Sequence, residues 1–508
     1  MNKSRTTATI KNALISITIQ LITLLLMFVQ RTFLIKCLTA EYIGLEGLFS
    51  NILSLLNMVE LGFGSALIFS MYRPMANGDE KKLVILLKLY KKIYITCGTI
   101  ILLIGLLLTP FLKYLIKDVP SIPEVYFIYI LYVINTAVSY FFVYKSSILI
   151  VAQEQYIINL NRFVFLIIQI VIQVFVLISF KNYIFYYIVT LICTFLANIS
   201  ISRIADNRFP YIREDVSENL SKEELNEIKD YVSVMFLNKV GWIVLNGTDN
   251  ILISKFIGII AVGVYSNYML LINASLGLIG RVYTALTPSV GNLAATSDSN
   301  KAYKVFKDVF FLTNLIATVC TICMLLLMNP LIVLWLGSDF ILGPWSVVII
   351  VANFYLAIIR RASFSFDEAY GLLRYCKFKP VYESLANLIF SIILAKMIGF
   401  NGVLLGTTVS TLMFTFWIEP YVLYRFVFNI SPLKYFILLL KYLFTTLVIL
   451  SPCLFISRYI IINSFIQLIF SALLYFGLII ALFIILRYKS PEFLYFKTVI
   501  KSKVSLNK

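Results

Sequence analysis

The chain has 508 residues, 60% of them hydrophobic and only 13% charged, with a mean hydropathy of +0.92. Too few charges remain to cover a soluble protein of this length, so composition demands a polytopic membrane protein. The net charge of +18 comes without a single histidine, which removes the commonest proton shuttle and zinc ligand.

The first apolar run, Ala13 to Ile35, is too long for a signal-peptide core and lacks a small-residue cleavage site. It is expected to stay as a membrane helix. A crossing needs about 20 mainly apolar residues. Fourteen segments qualify: 12–36, 43–72, 92–116, 123–152, 157–180, 183–203, 231–256, 262–292, 305–328, 343–371, 380–399, 402–425, 435–457 and 464–487. With the N-terminus inside, most of the 43 lysines and arginines fall on cytoplasmic ends and loops. Lys36, Lys113, Lys117, Lys181, Lys255, Lys396 and Arg458 are left outside. This positive-inside bias puts both termini in the cytoplasm, and the excess charge suits anionic inner-leaflet lipid rather than nucleic acid.

The second span carries Glu60 where the bilayer core should be and reads as ending at Tyr72-Arg73-Pro74. An ungapped shift of 219 residues lays Gly44 to Lys88 on Gly263 to Lys307. Gly44 then meets Gly263, Asp79 meets Asp298, Lys82 meets Lys301 and Lys88 meets Lys307. Between the halves, 204–230 is the one long polar connection. Ser221 is placed there to cap a helix, with Glu224 as its capping-box partner and Leu220 stapled to Leu225. Six spans precede this loop and six follow, so both halves start on the same side as parallel repeats. The expected division is a six-helix bundle over 1–203, a linker over 204–230, a second bundle over 231–425, and two extra spans with a basic tail over 426–508. The fold class is therefore all-α, with about 14 transmembrane helices and two parallel six-helix repeats around a central cavity.

Ionisable side chains inside a bilayer cost ~2.5–3.5 kcal/mol each and should face protein or a water-filled cavity. The candidates are Arg31, Glu60, Lys145, Lys239, Asp249, Arg281, Arg360 and Arg361. Subtracting 219 puts Asp249 one residue from Arg31 and Arg281 two from Glu60, so equal depth suggests the pairs Arg31–Asp249 and Glu60–Arg281. Arg31, Lys145, Arg281, Arg360 and Arg361 would make a central cavity cationic and suited to phosphate oxygens. Glu60 and Asp249 are the candidate gating or ion-coupling acids. Gly62, Gly64 and Gly241 suit close approach or bending, and Pro288, Pro344, Pro380 and Pro420 read mostly as span ends. Asp367-Glu368 could hold a cation or pair with Arg374, but reads as a solvated end of span ten. Cys320-Thr-Ile-Cys323 has metal-site spacing without a second ligand pair and reads as packing. No metal or cofactor is expected.

The run Glu60-Leu-Gly-Phe-Gly-Ser-Ala66, followed by Tyr72-Arg-Pro-Met-Ala76, resembles the second-span signature of bacterial oligosaccharide flippases. These are the O-antigen and polysaccharide-unit translocases of the multidrug/oligosaccharidyl-lipid/polysaccharide exporter superfamily. Thr248-Asp-Asn-Ile-Leu-Ile253, Val262-Gly-Val-Tyr-Ser-Asn267 and Asn401-Gly-Val-Leu-Leu-Gly-Thr-Thr408 are similar to later regions of that family. The resemblance implies outward movement of an undecaprenyl-pyrophosphate-linked oligosaccharide across the bacterial plasma membrane for cell-surface polysaccharide. Coupling to a proton or sodium gradient is implied, with polymerase and glycosyltransferases as working partners. A peptidoglycan-precursor flippase is the nearest alternative. A drug antiporter fits the basic cavity less well. A membrane polysaccharide polymerase or glycosyltransferase would need a large outer or carboxylate-rich loop, and none is present, so transport without enzymatic chemistry is expected.

Overall fold

The computed structural model describes residues 2–60, 63–116, 124–214, 220–226, 228–229, 232, 236, 247–296, 298–376 and 378–506. Side-chain surroundings are described for these except 2–17, 20–21, 65, 284–285, 287–289, 291–296, 373–374 and 499–506. Lys239, Gly62 and Gly241 therefore lie outside the described residues. All regular structure among those described is helical.

Twelve of these helices are long and apolar enough to cross a membrane, and they coincide with twelve of the fourteen expected spans. Of the other two, 12–36 lies within helix Asn2–Cys37, and 231–256 is described as a helix from Asp249 to Phe256. The chain is an all-α polytopic membrane protein of about 14 helices. Large apolar side chains stand exposed along the spans, among them Leu107, Met397, Phe444, Ile466 and Phe470. In water such a surface would aggregate; in a bilayer it is the lipid-facing one.

The chain forms two compact units, Met1–Ser266 and Asn267–Lys508. In the first, α1 (Asn2–Cys37) turns at Leu38-Thr39 into α2 (Ala40–Leu56). A 3-10 turn, Asn57–Glu60, precedes α3 (Phe63–Asn77), and α4 follows over Glu80–Leu108. The long helices α5 (Val125–Val151), α6 (Gln155–Phe180) and α7 (Tyr183–Arg208) complete its main layers. Phe49, Tyr129, Tyr132 and Tyr187 pack face and edge in its middle. Polar bonds tie helices where apolar burial cannot: Gln30 donates to Gln173 and to Tyr186, both at 2.8 Å.

In the second unit α8 (Ser299–Leu336) packs against α9 (Pro344–Ala369) and against the two C-terminal spans, α10 (Leu433–Ser457) and α11 (Phe465–Arg487). Phe306, Phe366, Tyr424 and Phe428 form one aromatic knot there. Thr318 and Thr446 bond at 2.8 Å, and the Arg487 guanidinium donates to the Lys441 carbonyl at 2.6 Å.

Several expectations are corrected in detail. Span two is not one helix: the α-helix stops at Leu56, tightens to 3-10 over Asn57–Glu60, and resumes at Phe63. Nor does it end at Pro74, which sits inside a helix that runs to Asn77. Pro344 and Pro380 do lie at helix starts, but Pro420 is interior to the helix Thr415–Phe426. Span twelve breaks at Phe414 between Phe400–Met413 and that helix.

The repeat register is visible in local chemistry. Asp79 caps α4 by accepting from the Lys82 N–H at 3.0 Å. Asp298, its counterpart after the 219-residue shift, caps α8 by accepting from Lys301 at 3.3 Å. In the linker, Ser221 Oγ accepts from the Glu224 N–H at 3.2 Å, and a Glu224 carboxylate oxygen accepts from the Ser221 N–H at 2.9 Å. This is the expected capping box.

Within the first unit the start of α2 lies against residues 259–266, at the start of the helix Ile259–Thr296. A Cβ on Gly44 would strike the Ile259 carbonyl oxygen. A Cβ on Gly263 would lie 2.6 Å from the Ala40 carbonyl oxygen and 3.2 Å from the Gly44 nitrogen. A 219-residue shift turns Ala40 into Ile259 and Gly44 into Gly263, so the contact exchanges with itself. Such reciprocity is the mark of a local two-fold axis between related segments.

Candidate functional site

Glu60 stands at the end of the 3-10 turn. Three-residue periodicity eclipses i and i+3, which brings Asn57 and Glu60 onto one face. Both line a cavity of about 380 Å³ with Tyr94 from α4 and Asn135, Thr136, Ser139 and Tyr140 from α5. Tyr94 donates its hydroxyl to Glu60. The Tyr140 hydroxyl lies 3.1 Å from Asn57 Oδ1 and 3.4 Å from Glu60 Oε2. Tyr90 stacks on Tyr94 with ring centroids 4.4 Å apart, which fixes the phenol from behind. A Cβ on Gly64 would touch Tyr94 Oη and come within 2.7 Å of Glu60 Oε1, so only glycine lets α3 approach.

The cations expected to line a cavity mostly have carboxylate partners. Arg31 pairs with Glu46 at 2.8 Å, where depth alone suggested Asp249. Asp249, which opens its helix, bonds Tyr265 instead, and its Oδ1 is buried without a partner. Lys145 pairs with Asp206 at 2.6 Å. Arg360 lies 3.1 Å from Glu419 and 3.7 Å from Glu383, and Lys379 also holds Glu419. Thr411 donates to Glu383 at 3.1 Å. Arg361, half-buried beside Gly280, is in no ion pair among the described residues. Arg281 is half-buried on the helix Ile259–Thr296.

Asp367 was expected in solvated structure, but it is 1% exposed, and neither carboxylate oxygen has a hydrogen-bond partner. Its neighbour Glu368 is exposed, as expected.

The sequence reading passed over Glu46, Lys379, Glu383 and Glu419. A usable signal existed in helix-hairpin symmetry. Residues 31 and 46 are equidistant from the turn at 38–39, and 360 and 383 are equidistant from the turn at 371–372. Antiparallel neighbours at equal distance from their turn sit at equal depth.

These features define a class: polytopic helical membrane proteins built of two parallel repeats with charged clusters inside their spans. The fold is that of the multidrug/oligosaccharidyl-lipid/polysaccharide (MOP) superfamily transporters. The chain is similar to lipid II flippase MurJ in an inward closed conformation, at a TM-score of 0.67 and 15% identity, covering 96% of this chain and 99% of that one. It is also similar to an inward-facing multidrug resistance MATE family transporter, at 0.61 and 12% identity over 81% and 98% of the two chains. A mutant of the Vibrio cholerae MATE transporter VcmN superposes at 0.54, with 13% identity over 84% and 99%. No protein-family model and no curated protein matches the sequence.

Proposed function

We propose that the protein is a flippase that moves an undecaprenyl-pyrophosphate-linked oligosaccharide from the cytoplasmic to the outer leaflet of a bacterial plasma membrane by alternating access. The observation that carries this reading is the reciprocal contact of Gly44 and Gly263. Backbones that approach this closely at two glycines, beside the Ile259 side chain, can part and rejoin with little repacking. Repeat-related helix starts that do so are suited to a seam that opens while another closes.

Arg361 supports an anionic head group. With Arg360 engaged by Glu383 and Glu419, the adjacent guanidinium keeps its donor fork for phosphate oxygens. Arg281 is the second candidate for the same role, and Glu60 and Asp249 remain the candidate coupling acids. The depth relation between Glu60 and Arg281 stays a proposal, checked by whether reversing both charges restores movement lost in each single reversal. No enzymatic step is needed; anionic inner-leaflet lipid, polysaccharide polymerase and glycosyltransferases are the expected companions.

A peptidoglycan-precursor lipid is the second reading, favoured by the superposition on a structure described as a lipid II flippase. Both cargoes present a pyrophosphate. Proteoliposomes containing either lipid decide between them: an impermeant reagent should reach the lipid-linked oligosaccharide in both leaflets only when the protein is present. Arg361→Gln should slow that movement at least tenfold. Unchanged movement of every such lipid tested overturns the flippase reading.

A further inference from the structure

We propose that the groove between the helix Thr415–Phe426 and α10 holds one anionic phospholipid, with a hydrocarbon chain in the groove and the acidic head group on Arg425 and Lys434. The site does not depend on which cargo the protein carries.

The groove is a cavity of about 410 Å³ within the second unit, lined by Trp417, Ile418, Tyr421, Pro432, Leu433 and Phe436. Its wall is almost wholly apolar, so a sugar, a phosphate or an ion would find no hydrogen-bond partner inside it. Trp417 and Phe436 face each other with ring centroids 4.3 Å apart, and the Phe416 ring lies 5.8 Å from Phe436. These contacts give the groove an aromatic floor that links the two helices. Trp417, Tyr421 and Leu433 nevertheless stand exposed. Beyond Leu433, the exposed side chains of Ile437, Leu440 and Phe444 continue the apolar face along α10 at helical spacing. A hydrocarbon chain matches a lipid-facing wall of this shape.

Charge then selects the lipid. Trp417 and Tyr421 are one helical turn apart, and Arg425 stands one turn further along the same face. Lys434 follows Leu433 in the first turn of α10. Both cations are exposed, and neither is in an ion pair among the described residues. Across 415–441 the sole acid is Glu419, which is buried and held by Arg360 and Lys379. The rim therefore carries positive charge that no nearby carboxylate offsets.

Depth agrees with this division. Tryptophan and tyrosine favour the level of lipid head groups, and the chain turns between its two helices beside them, over 427–432. Aromatic anchoring alone needs no hollow between the helices; a bound chain does. A zwitterionic head group brings its own ammonium against Arg425 and Lys434, whereas a net anionic one does not.

The test uses the full-length protein in vesicles that mix phosphatidylglycerol with phosphatidylcholine. Tryptophan fluorescence is read in two series at matched mole fraction, one with brominated acyl chains on the phosphatidylglycerol and the other with them on the phosphatidylcholine. Brominated chains quench a tryptophan only on contact, so Trp417 reports on the groove. Brominated phosphatidylglycerol should quench more strongly at low mole fraction and then saturate, and Trp417→Phe should remove that excess. Arg425→Gln and Lys434→Gln, both at exposed positions, should fold and should each weaken the preference about fivefold. Equal quenching by the two lipids, or a preference that survives both charge substitutions, overturns the site. An excess that Trp417→Phe leaves unaltered places the lipid elsewhere and overturns it too. If Trp417→Phe alters quenching in neither series, protein covers the groove, a second copy of the chain included, and the proposal is lost.

Discussion

Glu419 and Asp367 illustrate how differently two buried carboxylates in one unit can behave. Glu419 is held by Arg360 and Lys379, and Glu383 joins the cluster through Arg360, so two cations face two anions. Removing one member leaves a buried charge without its partner, a loss of about 3–5 kcal/mol. Glu419→Ala should therefore lower the unfolding temperature sharply. Asp367→Asn removes a carboxylate whose oxygens bond nothing, and should be neutral or stabilising in the same thermal assay. Outside the membrane, the hydrogen bond from Lys82 and then the Ser221 N–H hold the Glu224 carboxyl below its ordinary range. Because the folded value is the lower one, the contribution is full above the ordinary carboxylate range and is lost as pH falls through it. Amide exchange over residues 220–229, corrected for intrinsic rate, should quicken from pH 7 to pH 4, and Glu224→Gln should flatten that dependence.

At the scale of helices, the reciprocal glycine contact makes a sharp prediction. Leucine at Gly263 would drive a side chain into the Ala40 carbonyl, and overpacking of this kind typically costs about 1–3 kcal/mol. Gly263→Leu and Gly44→Leu should fold yet hold the seam apart, which disulfide cross-linking of Gly47→Cys with Ser266→Cys, whose side chains would meet across the same contact, would register as lost efficiency. The spans themselves were legible because length and apolarity suffice to define a crossing. The interruption at Asn57–Glu60 was not, since its cause lies in Tyr94 and Tyr140, 34 and 80 residues further along. The cap at Ser221 was legible because donor and acceptor are three residues apart; those at Asp79 and Asp298 have the same spacing but were read only as repeat positions. Ion pairing could be read only where a hairpin fixes the partner, as it does for Arg31 with Glu46, a pair that was passed over. Equal depth under the repeat does not say which face of a helix a side chain occupies, and for Asp249 it suggested Arg31 where the structure has Tyr265.

For the molecule as a whole, the direction of the proposed transport depends on which face of the membrane holds the linker. Lysine and arginine resist translocation, and their clustering on alternate connections is the reason 204–230 and both termini are expected inside. The structure supplies positions at which to check this. Lys181 follows α6, Tyr459 follows α10, and both lie where the outer surface is expected. Arg213 and Lys489 are exposed beyond α7 and α11, on the expected inner side. The seven native cysteines include four buried ones, so a background that replaces all seven must first be shown to fold. In it, Lys181→Cys and Tyr459→Cys should react with an impermeant maleimide on intact cells, whereas Arg213→Cys and Lys489→Cys should react only after permeabilisation. The reverse pattern would leave the helix count standing and invert the orientation. The Gly44–Gly263 seam would then face the cytoplasm, and outward carriage of a lipid made inside would have to begin from the opposite state.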